Sequence, residues 1–389
     1  MKRIITTERI PIKMWLEDIE SEAERQAKNL ANLPFAFRHI AIMPDCHEGY
    51  GMPIGAVLAT NDVIVPNAVG VDIGCGMSTV KTSLTGISKD ELKRIMGRIR
   101  EAVPVGFRHH KKRQDEYLMP ELGDIDRLKV VLEEYESALY QVGTLGGGNH
   151  FIEIQQASDG FIWIMVHSGS RNIGKKVADY YNRQAEMINE SGFSSAEKSK
   201  ELAFLPPDSS EASDYVAEMT YCQNFAIANR KLMMRNVMDS ILAVIGKSVS
   251  FGEIIDIAHN YARIETHFGS DVIVHRKGAT SARINETGII PGSQGSVSYI
   301  VSGLGNPESY MSCSHGAGRR MSRHKAQKSF DLKEVIDSMN RQGIIHGIRN
   351  IKDLDEAPGA YKDINEVMEN QKDLVTILVE LKPLAVIKG

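Results

Sequence analysis

Ile64-Val65-Pro66-Asn67-Ala68-Val69-Gly70-Val71-Asp72-Ile73-Gly74-Cys75-Gly76-Met77 is an apolar run that ends in a carboxylate and a thiol three residues apart among glycines. The run predicts a strand that breaks into a turn at Asp72 and Cys75. Glycine adopts backbone angles that a Cβ resists, so such a turn can wrap closely around an ion. A hard oxygen and a soft sulfur on one turn make half of a metal site. The same pair also fits a buried cysteine beside a capping aspartate. Histidines downstream weigh toward the metal: Asp72, Cys75, His150, His167 and His259 together offer enough N, O and S donors for one or two ions.

The chain around this turn has 389 residues, 42% of them hydrophobic and 25% charged, enough to bury one large core or two ordinary ones. Cys46, Cys75, Cys222 and Cys313 show no paired spacing, and Met1-Lys2-Arg3-Ile4-Ile5 opens no signal-length apolar stretch, so a reducing, cytoplasmic setting is expected. No segment approaches membrane-spanning length. A formal net charge of -4 argues against a protein that coats nucleic acid non-specifically. Local basic clusters remain, at Arg108–Arg113 and at Arg319, Arg320, Arg323, His324, Lys325 and Lys328, although solvated faces have the same composition.

The pattern predicts helices over 14–33, 88–102, 124–140, 172–190 and 212–245, short strands with glycine turns over 38–82, and an exposed connection over 183–211 that holds Ser191, Ser194 and Ser195. Val216, Met219, Cys222, Phe225 and Ala226 form one apolar stripe, read as core. After 270 the pattern returns to short strands punctuated by glycine. Helices and irregular strands without βαβ alternation predict an α+β fold.

Four further groupings carry chemistry. In Gly148-Asn149-His150-Phe151-Ile152-Glu153, strand alternation puts Asn149, Phe151 and Glu153 on one face and His150 on the other, so the chain must bend if all the polar groups serve one site. An apolar strand ending in His167-Ser168-Gly169-Ser170-Arg171 opens a helix whose N-terminus could seat a phosphate with Arg171, or could be an ordinary turn capped by Ser170. His259 reads as a lone histidine in a helical context, the usual setting of a hydrogen-bonded core residue. Cys313-Ser314-His315-Gly316-Ala317-Gly318-Arg319 leaves an imidazole among small residues beside a permanent cation, which suits a nucleophilic or acid–base histidine.

These blocks, with Ile42-Met43-Pro44-Asp45, Gly51-Met52-Pro53-Ile54-Gly55, Gly143-Thr144-Leu145-Gly146-Gly147-Gly148, Arg276-Lys277-Gly278-Ala279, Ile290-Pro291-Gly292-Ser293 and the terminal Lys388-Gly389, resemble the RtcB-type RNA-splicing ligases over nearly the whole chain. The resemblance implies a single α+β domain over 1–389, with mixed, irregular sheets around a metal and nucleotide site. It implies a GTP- and Mn²⁺-dependent ligase, with two manganese ions, that joins an RNA 3′-phosphate or 2′,3′-cyclic phosphate end to a 5′-hydroxyl end, with an archease-type activator as partner. Position by position, Asp72, Cys75, His150, His167 and His259 match the metal ligands and His315 the guanylylated histidine. Asn149, Glu153, Arg171, Lys277, Ser293, Arg319 and Lys388 match guanylate or phosphate contacts. Donor softness alone favours zinc; manganese comes from the resemblance. Cys46 and Glu48 stand where many members carry other residues. Splicing of tRNA and repair of broken RNA both stay open. Read from the residues alone, a metal-dependent RNA-end phosphodiesterase or phosphatase, or a catalytically weak RNA-end-binding protein, also fits.

Overall fold

Among the described residues, thirteen strands form two sheets and two more form a separate pair, and one passage of the chain from sheet to sheet takes a single residue. A computed structural model describes residues 1–192 and 200–389. Its six-stranded sheet runs, in spatial order, Arg3–Ile5, Ile12–Met14, Ala36–His47, Ile54–Thr60, Ser270–Lys277, Asn260–His267. Its seven-stranded sheet runs Thr287–Ile290, Ser298–Gly303, Val375–Lys388, Phe151–Ala157, Ile162–Ser168, Gly76–Lys81, Ile255–Ala258. Pairing is antiparallel except between Ile12–Met14 and Ala36–His47, so the expected α+β class holds.

His259 lies between Ile255–Ala258, an edge of the second sheet, and Asn260–His267, an edge of the first. Its amide donates to Cys75 O at 2.9 Å and its carbonyl accepts from Gly278 N at 2.9 Å, which ties the crossing to the D-x-x-C turn. The helical context expected for His259 is therefore wrong. Ile255–Ala258 is a strand, and a run this short cannot be told from a helix by apolar content alone.

Other boundaries shift for local reasons. The helix expected over 14–33 is confined to Ser21–Ala31, because Trp15 N donates to Ile42 O at 2.9 Å and the fully buried Trp15 extends the strand. The 124–140 stretch becomes a 3-10 turn, Ile125–Arg127, and a helix, Lys129–Ala138. The expected connection at 183–211 is helical up to Gly192, while Leu202, Ala203 and Leu205 are buried; Ser194 and Ser195 lie outside the described residues. Helices Arg323–Ser329, Leu332–Arg341 and Ile364–Asn370 occupy the region read as strands, with Ser322, Asp331 and Asp363 accepting backbone N–H bonds at their starts.

The helix Ser210–Ile245 is the longest element and serves two cores. Tyr215, Met219, Cys222 and Phe225 pack with Val69, Ile73, Ile173 and Val177, whereas Met233, Met234, Val237 and Ile241 pack against Val80, Ile152, Ile164 and Val166 of the second sheet. Val216 lies off the expected stripe and is exposed. Between the two cores sit a buried Asn229 and a buried Arg230. Arg230 forks onto Asp256 (Nε to Oδ2 2.8 Å, Nη2 to Oδ1 2.6 Å), and its Nη1 donates to Gly74 O at 2.9 Å and Ser168 O at 3.0 Å. The turn carrying Gly74 suits this approach, since Gly74 has φ +72 and a Cβ there would stand 2.8 Å from Gln223 Cα.

Removing the fork leaves the partly buried Asp256 carboxylate with the Ser78 hydroxyl but no cation, and takes a donor from two buried carbonyls, so Arg230→Met is expected to cost about 3 kcal/mol by denaturant unfolding. Arg230→Lys recovers little of it, because an ammonium cannot make the planar fork. A loss below about 1 kcal/mol for Arg230→Met would show that the fork is not needed.

Candidate active site

The turn after Val71 places Asp72 and Cys75 beside the end of strand Ile162–Ser168, the start of strand Phe151–Ala157, and the crossing at His259. Cys75 Sγ lies 3.4 Å from His150 Nε2 and 3.3 Å from His167 Nε2; His167 Nε2 is 3.4 Å from His259 Nε2, and His150 Nε2 is 3.0 Å from Asp72 Oδ2. Two groups result, Cys75-His167-His259 and Asp72-Cys75-His150, and they share the thiol. His150 bends into the cluster as the sequence required, after Gly148 at φ +71, while Asn149, Phe151 and Glu153 line the neighbouring cavity.

The donor set fits a cation. His150 Nδ1 donates to Leu145 O at 3.0 Å and His167 Nδ1 to Asn149 O at 3.1 Å, so each ring turns its Nε2 lone pair inward. His150 Nε2 then faces a carboxylate oxygen, and His167 Nε2 faces a second imidazole. One thiol proton cannot satisfy all these acceptors, whereas a cation among them would. Burial, followed by the Asp72 charge, pushes the Cys75 thiol well above its usual range. Burial and the neighbouring histidines hold His167 and His259 well below theirs. Burial opposes charge on Asp72, but the His150 hydrogen bond and charge outweigh it and bring the pKa to about 2.

A cavity of about 850 Å³ opens from this cluster and is lined by Asp72, Cys75, Asn149, Glu153, His167, His259, Ser293, His315, Arg319 and Lys388 among others. His315 follows strand Ser312–Ser314, which pairs with Ala279–Ser281. Its ring centroid is 4.9 Å from that of His259. The buried Asp45 accepts from His315 Nδ1 at 2.6 Å, from His315 N at 3.1 Å and from Gly316 N at 3.3 Å. Nδ1 is thus occupied and Nε2 keeps its lone pair.

The cations at the far wall are held by another buried carboxylate. Glu356 accepts from Arg319 Nη1 at 3.0 Å, Arg323 Nε at 3.0 Å, Lys388 Nζ at 3.2 Å and the Tyr361 hydroxyl. Burial works against its charge, but Lys388, Tyr361, Arg323 and Arg319 bring its pKa to about 2. Glu153 goes the other way: burial pushes it up to about 8 against the pull of Lys388 and Gln155.

The remaining expected residues divide. Ser293 lines the cavity, with its hydroxyl 2.9 Å from that of Ser296. Lys277 lines it too, but its Nζ donates to Tyr50 O at 2.6 Å and Asn67 O at 3.0 Å, so the lysine braces the rim loop. Arg171 is not brought into the cavity lining; its guanidinium lies against Gly146 and Nε donates to Thr144 Oγ1 at 3.3 Å. Sequence reasoning assigned no role to Asp45, Glu356, Asn229 or Arg230. For Asp45 the usable signal was a carboxylate closing the apolar run Ile40–Met43; for the others, no local signal exists.

A family model described as tRNA-splicing ligase RtcB matches residues 26–389. The chain is 40% identical to the RNA-splicing ligase RtcB of Escherichia coli K12 over 409 residues, covering 99% of each chain. It is 32% identical to the tRNA-splicing ligase RtcB of Nanoarchaeum equitans, covering 98% of this chain and 95% of that one. The RtcB1 ligase of a second Escherichia coli strain is also 40% identical, with 99% of each chain covered. An α+β fold with a thiol-and-histidine cluster beside an aspartate-held histidine therefore belongs to a nucleic acid ligase family. The chain is a member of the RtcB family.

Two measurements check this site. Binding of a divalent transition-metal ion in weak buffer is expected to release about one proton from Cys75, because the thiol must ionise to ligate. Cys75→Ala abolishes that release, and its persistence in the variant would remove Cys75 from the ligands. For Glu153, the fold keeps a proton that the unfolded chain gives up near 4.5, so its contribution to stability is complete below that pH and is lost as pH rises toward about 8. In protein without metal or nucleotide, the Tm of Glu153→Gln relative to the unaltered protein should therefore climb between these pH values. A difference flat with pH would contradict the assignment.

Proposed function

We propose that this chain is a GTP-dependent RNA ligase that joins a 3′-phosphate or 2′,3′-cyclic phosphate end to a 5′-hydroxyl end through guanylylated His315, with residues 1–389 acting as one ligase domain. The observation that carries this reading is the Asp45–His315 pair at 2.6 Å, which directs Nε2 into a cavity next to the cation-binding cluster. Membership of the RtcB family supports it.

Asp72, Cys75, His150, His167 and His259 would hold the metal. Manganese, the ion the family resemblance implies, would neutralise charge on phosphoryl oxygens when bound there. His315 Nε2 forms a bond to the α-phosphorus of GTP while the bond to the pyrophosphate oxygen breaks, and pyrophosphate leaves. Asp45 keeps the Nδ1 proton and steadies the positive charge that develops on the ring. An oxygen of the RNA 3′-phosphate then takes the guanylyl group and frees Nε2. The 5′-hydroxyl oxygen attacks the RNA phosphorus, its proton passes to solvent, and GMP departs. Asn149, Glu153, Ser293 and Lys388 hold the guanylate. Among the described residues Glu153 has no side-chain hydrogen-bond donor beyond Gln155, and a guanine edge presents N–H donors to it. Arg319 faces phosphate, while Lys277 and Arg171 brace the rim and the Gly143–Gly148 turn. We place the enzyme in the cytoplasm, in tRNA splicing or RNA repair, with an archease-type activator.

Incubation with α-labelled GTP and Mn²⁺ followed by denaturation should leave acid-labile label on the protein, and His315→Ala should abolish it. Label retained in His315→Ala would exclude His315 as nucleophile. Release of phosphate from RNA ends without any labelled protein would favour a hydrolase.

A further inference from the structure

Phe107 is 102% exposed, the largest value among the exposed apolar side chains, and it stands beside a run of cations. Arg108, His109, Lys111 and Lys112 are exposed, and among the described residues Arg108, Lys111 and Lys112 form no ion pair. Arg113, by contrast, is neutralised by Glu116 and Glu136. The loop itself is anchored at both ends. Gly106 N donates to Gly146 O at 2.8 Å, His110 N to Tyr140 O at 3.0 Å and Gln114 N to Leu139 O at 3.0 Å.

Those anchors place the loop at the edge of the site. The Gly143–Gly148 turn that receives it leads directly into Asn149 and His150. Gly389, next to the cavity-lining Lys388, lies against Gly106 and Gly146, and its N–H points to His150 O at 3.4 Å. An exposed ring held on a fixed backbone loses apolar contact to water for no packing return. Flanked by unpaired cations, it has the make-up of a surface on which a base stacks while neighbouring phosphates meet positive charge.

We propose that Phe107, with Arg108, Lys111 and Lys112, is a stacking platform for single-stranded RNA entering the active site, Phe107 taking one base and the cations the adjoining phosphates. The proposal rests on the RNA-ligase reading for its substrate. Its charge complements RNA locally, whereas the chain as a whole carries -4.

The test uses a fluorescein-labelled single-stranded RNA with a 3′-phosphate, titrated at several salt concentrations. Phe107→Ala should weaken binding roughly tenfold, the scale of one lost base stack, with the salt slope unchanged because no phosphate contact is lost. Lys111→Ala with Lys112→Ala should flatten the log–log slope by about 1.4, at about 0.7 per phosphate. Phe107→Trp should keep the affinity and show quenched indole emission on binding; the native Trp15 and Trp163 are buried and form a constant background. Unchanged affinity in Phe107→Ala, or no quenching in Phe107→Trp, overturns the platform. So does a fall in oligomer mass on Phe107→Ala, which would make the ring a contact between copies of the chain. GTP labelling of the unaltered protein keeps the two readings apart: labelling without stacking sinks only the platform, and stacking without labelling sinks only the ligase.

Discussion

A guanidinium with no solvent at all organises this site. Arg230 brings Gly74 O from the Asp72–Cys75 turn, Ser168 O from the end of the His167 strand and the Asp256 carboxylate from the strand before His259 onto one planar group. Three of the segments that carry donors for the cluster thus share a single rigid fork. The preceding residue on the helix, Asn229, accepts from Gly143 N and Thr144 N and donates to Ser168 Oγ and Gly169 O, which holds the loop before His150 in the same frame. Burying that charge is expensive, and the cost is offset only because four of the five N–H bonds are made with good geometry. Without such a frame, five lone-pair donors at 3.0–3.4 Å would separate in the absence of a cation.

The same economy of buried charge recurs twice around the cavity. Asp45 is fully buried, yet three donors from His315 and Gly316 keep it ionised and thereby choose which imidazole nitrogen faces the cavity. Glu356 is nearly as buried and gathers Arg319, Arg323 and Lys388, cations from chain positions as far apart as 319 and 388. Each carboxylate is an anion fixed behind the side chains that line the cavity. A chain with net charge -4 can thereby present positive charge locally at this cavity.

How much of this was legible depended on whether the signal was local. The glycines of Asp72–Met77, the alternation in Asn149–Glu153 and the small residues around His315 are adjacent in sequence, and the structure brings these blocks together. The donors themselves could be nominated but not joined, since spacing along the chain says nothing about a sheet crossing at His259. Asp45 carried a local signal, a carboxylate closing the apolar run Ile40–Met43, but its aim at His315 follows from a register change of strand Ala36–His47 between Ile42 and His47, which has no sequence mark. Arg230 and Glu356 were invisible for another reason. Each looks like an ordinary surface charge in a helical or turn-rich pattern, and only long-range packing shows that it is buried. Arg319 shows the same limit from the other side: expected at a guanylate or phosphate contact, it is also paired with Glu356, which no local signal foretold.

That pairing bears on how substrate is received. Under the proposed function, a phosphate approaching Arg319, Arg323 or Lys388 would find cations already oriented by Glu356, so little side-chain entropy would remain to be lost on binding. The ordering has a cost, because each new phosphate contact competes with an existing charge-assisted bond. The arrangement therefore favours fidelity of position over raw affinity near His315. Arg108, Lys111 and Lys112, exposed and without an ion pair among the described residues, lie outside Glu356's reach at the rim of the same Gly143–Gly148 turn, so under the proposed function added affinity for a longer strand would fall to them.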